Sequence, residues 1–277
     1  MESLFFILPI SLVKKIIENI HDNSYHNLRL TCKNFHDLIP YVKSFHSNGG
    51  LKSSIKFYMN IPIGSYNYFS DEGYLLKSIP LSSYGIDGVV RYFENFKSYY
   101  RCNFIENKKS GIESFNFSDG RLYIETSYRC NLKNGKELTY FKNGSIYAKK
   151  YYKNGLLHGE TNFYTNNGNS KYTIQFHNNM LNGEVIYYFE NSSPFIVCNF
   201  KNNKIYGEYK VYYINGNIKM TYNLKDGKID GFVKIYHHNG TLRDLVKFKN
   251  GYPHGIHKSW YNNGKQSIVQ KYDNGIL

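Results

Sequence analysis

Apolar and polar positions recur with a fixed period over most of the chain. The clearest column is glycine, and each step along it is 24 residues: Gly111, Gly135, Gly159, Gly183, Gly207, Gly231 and Gly255. An aromatic residue follows five positions later in most units: Tyr140, Tyr164, Tyr188, Tyr212, Tyr236 and Trp260. Another apolar column stands seven positions before the glycine: Phe104, Tyr128, Tyr152, Phe176, Phe200, Leu224 and Phe248. Columns that stay in phase predict a repeat array in which each unit packs against its neighbours.

Two turn signals alternate within each unit. One is Asn-Gly at 143–144, 167–168, 215–216, 239–240 and 263–264, and the other is Asn-Gly or Asp-Gly at 154–155, 226–227, 250–251 and 274–275. Both residues of such dipeptides tolerate positive φ, so we expect tight hairpin turns at both sites. Between turns, apolar residues alternate with polar ones, as in Ile218, Met220, Tyr222 and Leu224. Each unit is therefore predicted to form two short antiparallel strands.

The first 46 residues lack this period. Leu12, Ile16 and Ile20 recur at a helical spacing behind Ser11, which suits a helix N-cap. A second apolar segment follows, with Leu28, Leu30, Cys32, Phe35, Leu38 and Ile39. This pattern predicts two or three short helices.

Composition agrees with a folded, β-rich chain. The 277 residues are 41% hydrophobic and 18% aromatic, with 29 Tyr, and richness in Tyr, Asn and Gly favours strands and turns. The formal net charge is +14, and residues 1–46 contribute only +1 of it, so the repeats would attract anionic partners. The four cysteines have no CxxC spacing, which fits a reducing compartment. The apolar stretch LFFILPISLV has no basic segment before it and no cleavage site after it, so we expect neither a signal peptide nor a membrane span.

The repeats resemble the variant form of the MORN repeat. The matching residues in one unit are Tyr152–Gly155, Gly159, Glu160, Tyr164 and Asn167–Gly168, and the resemblance covers roughly residues 51–277. It implies an elongated, twisted antiparallel sheet of hairpins. At about 4.8 Å per strand, nine such units would span roughly 80–90 Å.

Residues 1–46 resemble an F-box in the segments LPISLVKKIIENI and YHNLRLTCKNFHDLI. The match departs from the common pattern at Ile10, where an acidic or polar residue is usual. The resemblance implies that this segment binds a Skp-type adaptor of a cullin–RING ubiquitin ligase through Leu8, Pro9, Leu12, Ile16, Leu28 and Cys32. The alternative is a helical cap over the first edge of the sheet. An F-box joined to variant MORN repeats in an Asn-, Lys- and Tyr-rich chain is also similar to proteins of giant amoeba-infecting DNA viruses.

Candidate chemistry is sparse. The histidines His237, His238, His254 and His257 do not have convincing metal-ligand spacing, and no cofactor motif occurs. The carboxylates Glu160, Glu184 and Glu208 would lie about 10 Å apart, which is wide for a catalytic pair. The aromatic columns could stack bases, but core packing explains their register better. We therefore expect no enzyme, cofactor or metal, and nucleic-acid binding ranks last among the candidate functions.

A basic column stands six positions before the glycine: Arg129, Lys153, Lys201, Lys225 and Lys249, with His177 in the same register. Because the preceding column is apolar and faces the core, alternation places these cations on the other face. Such a stripe could bind anionic lipid, an acidic protein or nucleic acid, or could simply be solvated.

The predicted fold is mainly β. It has a helical F-box-like domain over residues 1–46, a connection with the first repeat strand over residues 47–63, and about nine MORN-like units over residues 64–277. The predicted function is recruitment of a target protein, held by the repeat sheet, to a ubiquitin ligase in the cytoplasm, or the host cytoplasm if the protein is viral. The alternative is a scaffold whose basic face binds an anionic membrane or an acidic partner.

Overall fold

The computed structural model describes residues 41–58 and 61–276, and these residues form strands and turns with no helix among them. The chain divides into two compact units, one ending at Leu132 and the other beginning at Lys133. The predicted mainly β fold of antiparallel hairpins is confirmed. The predicted helices fall almost entirely on residues 1–40, which lie outside the described residues.

The first unit contains nine strands: β1 (Tyr41–Phe45), β2 (Leu51–Tyr58), β3 (Ile61–Phe69), β4 (Leu75–Ser82), β5 (Gly85–Ile86), β6 (Gly88–Glu94), β7 (Lys97–Ile105), β8 (Lys108–Asn116) and β9 (Leu122–Arg129). Successive strands pair antiparallel, except that β5 and β6 both pair with β4. Strand β1 occupies the end of the segment predicted to be helical, so the sheet begins before residue 47. Its residues pair with β2 from Tyr41↔Lys56 to Phe45↔Leu51.

The second unit continues the pattern from β10 (Leu132–Tyr140), with one hairpin per repeat. Its other strands are β11 (Ile146–Lys153), β12 (Leu156–Leu157), β13 (Gly159–Tyr164), β14 (Ser170–His177), β15 (Met180–Tyr188), β16 (Pro194–Lys201), β17 (Lys204–Tyr212), β18 (Ile218–Lys225), β19 (Lys228–Ile229), β20 (Gly231–Tyr236), β21 (Leu242–Lys249), β22 (Tyr252–Trp260) and β23 (Gln266–Tyr272). Strands β14, β16, β18 and β21 begin 24 residues apart, which is the period of the sequence.

The repeat glycine lies at an irregularity in the strand pairing. In β15 the register with β14 shifts around Gly183, whose φ is 117°. A Cβ at this position would lie 2.9 Å from the Cβ of Gln175 on the neighbouring strand. The glycine therefore permits a β-bulge that a larger residue would strain.

The two turn signals form different turns, which corrects one prediction. At 154–155 both residues have positive φ, 50° for Asn154 and 84° for Gly155, as predicted for a type I′ turn. At 143–144 only Gly144 does, with a φ of 88°. Asn143 instead donates its side-chain amide to the carbonyl of Asn166 in the next repeat, at 3.1 Å. These turns are type I turns followed by a glycine bulge.

One face of the sheet forms a thin core. In the first unit its centre is Val90, Tyr100, Cys102 and Phe104. In the second unit the buried side chains include Ala148, Thr161, Val185, Cys198, Val211 and Val233. The alternation predicted for β18 is present, since Lys219, Asn223 and Lys225 are exposed and the apolar residues between them are partly buried. A single sheet leaves many aromatic side chains half-exposed because no second layer covers them.

Two carboxylates are buried in this core, and the sequence patterns did not predict them. Glu113 is 7% exposed and Glu137 is 2% exposed, and both stand two residues after a repeat glycine. Glu113 accepts hydrogen bonds from Tyr100 at 3.2 Å and from Lys109 at 2.5 Å.

Glu137 forms ion pairs with Lys133 and Lys150 and accepts a hydrogen bond from Tyr152 at 3.4 Å. Burial alone would raise the pKa of Glu137, but the two lysines outweigh it and hold that pKa below its ordinary value. A carboxylate with a depressed pKa stabilises the fold at neutral pH, and this stabilisation is lost as the pH falls through the depressed pKa.

We predict that Glu137→Gln lowers the free energy of unfolding by roughly 2 kcal/mol at pH 7, because it leaves two lysines without their carboxylate. The loss relative to wild type should narrow as the pH falls through the depressed pKa of Glu137, where the wild-type carboxylate also becomes protonated. A series of urea titrations from pH 7 downward, followed by circular dichroism, measures this. The control is Glu184→Gln, at an exposed position, which should change stability by less than about 0.5 kcal/mol. Equal losses for the two variants would contradict the prediction.

We also predict that Gly183→Ala destabilises the second unit by about 1–3 kcal/mol, because alanine must adopt a positive φ and displace Gln175. The measurement is the shift in urea midpoint. Asn182→Ala, at the adjacent residue without positive φ, should shift the midpoint little. A tolerated Gly183→Ala would show that the bulge can be remodelled at small cost.

Candidate functional site

The six predicted adaptor-binding residues lie outside the described residues: Leu8, Pro9, Leu12, Ile16, Leu28 and Cys32. The structure therefore bears on the second predicted site, which is the basic column of the repeats.

The basic column lies at strand ends. Lys153, Lys201, Lys225 and Lys249 each close a strand of the second unit, and all four side chains are exposed. His177 holds the same place at the end of β14, and Arg129 at the end of β9 in the first unit, and both are exposed. The residue before Lys153 is Tyr152, which contacts the buried Glu137. Alternation along the strand therefore directs Lys153 to the opposite, polar face, as predicted.

A two-residue turn follows each of these strand ends. The tight turns place the cation opposite the first residue of the next strand, with the pairs Lys153↔Leu156, His177↔Met180, Lys201↔Lys204, Lys225↔Lys228 and Lys249↔Tyr252. We call these five hairpin ends, residues 153–156, 177–180, 201–204, 225–228 and 249–252, the basic turn row. Leu156, Met180 and Tyr252 are exposed apolar side chains, at 39%, 44% and 61%.

Sequence reasoning missed two lysines of this row. Lys204 and Lys228 lie directly across from Lys201 and Lys225. Like charges at opposed positions destabilise a strand pair. The sequence did contain a signal for these two lysines, since each directly follows a two-residue turn. The basic column was defined by one position per repeat, before the turn, so it did not include the position after the turn.

The lysines of the row carry uncompensated charge. Within the described part of the chain, no carboxylate forms an ion pair with Lys153, Lys201, Lys204, Lys225, Lys228 or Lys249. Asp226 is the single acidic residue among the five hairpin ends. Residues 133–277 as a whole hold twenty Lys or Arg and nine Asp or Glu. The row is thus a site of positive potential rather than one half of an internal ion-pair network.

Hydrogen bonds between successive turns hold the row together. The backbone N–H of Asn179 donates to the carbonyl of Leu157 at 2.9 Å, and the N–H of Leu157 donates to the side chain of Asn179 at 2.7 Å. The same reciprocal pair links Asn203 with Leu181, at 3.0 and 2.7 Å. The turns at 178–179 and 202–203 are therefore each fixed against the turn of the preceding repeat, and the flanking side chains take no part in these bonds.

The predicted carboxylate column is exposed and engaged locally. Glu160 accepts a hydrogen bond from Asn162 at 2.6 Å, and Glu208 forms an ion pair with Lys210 at 2.7 Å. Glu208 also borders a shallow depression of about 300 Å³ that includes Phe232 and Lys234. None of these groups has the enclosed, opposed geometry that acid–base catalysis requires.

A carboxylate, an imidazole and a hydroxyl meet on β21 and β22. Ser259 Oγ donates to Asp244 Oδ1 at 2.6 Å, and His257 Nε2 lies 3.0 Å from Ser259 Oγ and 3.2 Å from Asp244 Oδ1. In a nucleophilic triad the imidazole separates the carboxylate from the hydroxyl. Here one imidazole nitrogen faces both, so the arrangement does not activate the serine. Burial would raise the pKa of Asp244, but hydrogen bonds from Ser259, Arg243 and His257 hold that pKa below its ordinary value.

The histidines considered as metal ligands are dispersed. His254 Nδ1 lies 3.4 Å from Asp273, and His237 Nε2 contacts the carbonyl of Trp260 at 2.9 Å. Among residues 41–58 and 61–276, no three metal-ligating side chains come together. The same residues include no helix with the length and apolar character needed to cross a bilayer.

Comparison with family models matches two segments of the chain. Residues 5–47 match the F-box domain, and residues 133–154 match the MORN repeat variant. A search of curated proteins finds no match. Both resemblances drawn from the sequence are confirmed over these segments, and the first contains all six predicted adaptor-binding residues. An F-box suggests an adaptor of SCF-type ubiquitin ligases, and MORN repeats suggest a binding scaffold. Both matched families are non-catalytic.

Proposed function

We propose that this protein is a substrate-recruiting adaptor of a cullin–RING ubiquitin ligase. Residues 1–46 bind a Skp-type adaptor, and the repeat sheet binds the target protein. The observation that carries the proposal is the F-box match over residues 5–47, joined in one chain to a sheet of repeats with an exposed, uncompensated basic row. Such an adaptor acts in the cytoplasm, and in the host cytoplasm if the resemblance to viral proteins reflects its origin.

The binding mode proposed for the F-box is an apolar helical surface against a helical partner. The six residues expected to form this surface are Leu8, Pro9, Leu12, Ile16, Leu28 and Cys32, of which Leu8 and Pro9 come first in the chain. Interfaces of this kind depend on a few buried apolar anchors. Removal of the two leading anchors should therefore weaken the complex far more than removal of exposed apolar residues elsewhere.

We predict that the full-length protein co-purifies with a Skp-type adaptor and that Leu8→Ala/Pro9→Ala weakens the complex by at least about tenfold. Isothermal titration calorimetry or co-expression followed by gel filtration measures the loss. The matched control is Leu156→Ala/Pro194→Ala, which makes the same two exchanges at exposed positions in the repeats. It should leave adaptor binding unchanged. A wild-type protein that forms no complex with the adaptor would refute the ligase function.

A second candidate function is a scaffold that binds an anionic membrane through the repeats. The observation that favours it is the set of exposed lysines without ion pairs among the described residues. Under this function, the protein would sediment with acidic vesicles, and sedimentation would fall with salt and with Lys201, Lys225 and Lys249 changed to Glu. Sedimentation that responds neither to salt nor to the three lysine changes would refute the membrane-scaffold function.

A further inference from the structure

The basic turn row has a regular step that a ligand can match. Each repeat contributes two strands, and strands in a sheet lie about 4.8 Å apart, so successive turns are about 9.6 Å apart. From Lys153 to Lys249 the row makes four such steps, or about 38 Å. Backbone hydrogen bonds from Asn179 to Leu157, from Asn203 to Leu181 and from Gly251 to Ile229 fix these turns against the turns before them. The pairing of β17 with β18 sets the step between the turns at 201–204 and 225–228.

The charge of the row is concentrated at its centre. Lys201, Lys204, Lys225 and Lys228 occupy two adjacent turns, and the side chains within each opposed pair start about 5 Å apart. This separation is shorter than the Debye length of about 8 Å, so the lysines repel one another and their potentials add. A bound anion would relieve that repulsion.

The flanking turns combine a cation with an apolar side chain. Lys153 faces Leu156 and Lys249 faces Tyr252, and both apolar residues are exposed. Apolar and aromatic side chains beside polar groups are typical of surfaces that bind polypeptides. The row is also only one hairpin wide. A narrow line of mixed cationic and apolar groups fits an extended chain better than the plane of a membrane.

The polyproline II conformation matches the step of the row. It has three residues per turn and rises about 3.1 Å per residue, so residues i and i+3 lie on one side about 9.3 Å apart. In a β-strand, residues on one side repeat about every 6.6 Å. An α-helix gives about 10.5 Å for i and i+7, but a regular helix bends only gently, whereas an extended chain without internal hydrogen bonds can follow the twisted edge of a sheet.

We infer that the basic turn row binds an extended acidic polypeptide segment that carries Asp or Glu at every third residue. The inference rests on the proposed function, because it specifies the kind of target segment that the repeat sheet holds. The central carboxylates contact the four lysines of residues 201–228, and the outer turns add apolar contacts through Leu156, Met180 and Tyr252.

The test uses the full-length protein and two fluorescent peptides of one composition. One peptide is five Asp-Pro-Pro triplets, and the other has the five aspartates together followed by the ten prolines. Fluorescence anisotropy should show at least about fivefold tighter binding of the spaced peptide, because only its carboxylates match the step of the row. Equal affinity, or tighter binding of the clustered peptide, would overturn the inferred register.

A charge-matched pair of variants tests the location. Changing Lys201, Lys204, Lys225 and Lys228 to Gln should weaken binding of the spaced peptide by at least about tenfold. The control changes Lys142, Lys171, Lys219 and Lys265, which are exposed but lie outside the row, and alters the net charge equally. A similar loss in both variants would show general charge attraction and would refute the site.

Two further measurements distinguish a peptide from other anionic ligands and distinguish this inference from the ligase function. The other probes are vesicles of phosphatidylcholine with about one third phosphatidylserine and a single-stranded oligonucleotide. The inference is overturned if either probe binds through the four central lysines and the spaced peptide does not bind. The variant without these lysines should still bind the Skp-type adaptor normally. Adaptor binding without peptide binding refutes this inference alone, whereas peptide binding without adaptor binding refutes the ligase function and leaves the row intact.

Discussion

Hydrogen bonds that link turns to the turns of neighbouring repeats are the constraint on which the array depends. A single hairpin is marginal in water, and this sheet has only a thin core on one face. At one edge, Asn179 and Asn203 bond the preceding turns through both backbone and side chain. At the other edge, Asn143 and Asn239 donate to carbonyls one repeat later. Both edges are therefore fixed at these repeats, largely independently of the side chains on either face.

Because the turns are fixed by hydrogen bonds of the turn residues themselves, the residues beside the turns are free to vary. The turn itself needs two residues that accept positive φ, and Asn, Asp and Gly meet that need. The residue before the turn and the residue after it contribute exposed side chains that the fold does not require. Lys, His, Leu, Met and Tyr all occur there. A repeat array of this kind can change what it binds at its edge without a change in its hydrogen-bonded frame, which is a property expected of a target-binding sheet.

The sequence predicted those features that depend on local geometry. The period of 24 predicted the hairpins, and Asn154-Gly155 predicted a turn with two positive φ angles, because both follow from residues adjacent in the chain. Asn143 was predicted to adopt positive φ and does not, because it is a central residue of a type I turn that the Gly144 N–H closes on the Phe141 carbonyl, and Gly144 takes the positive φ instead. Burial of Glu137 was also missed. A carboxylate in a strand looks solvent-exposed unless Lys133 and Lys150 are known to converge on it, and Lys150 does so only through strand pairing.

Lysine therefore has two opposite roles in one sheet. In the core, Lys133 and Lys150 neutralise Glu137 and lose part of their hydration, a cost offset by a carboxylate at close range. At the edge, Lys201 and Lys204 keep their hydration and repel each other. No carboxylate of the described residues forms an ion pair with either lysine. The chain does contain acidic residues that could compensate them, but Glu208 pairs with Lys210 within its own strand. Because Glu137 and Glu208 pair with lysines of the strands and the five hairpin ends contain Asp226 as their single acidic residue, surplus positive charge accumulates at the turns, where opposed lysines make it strongest.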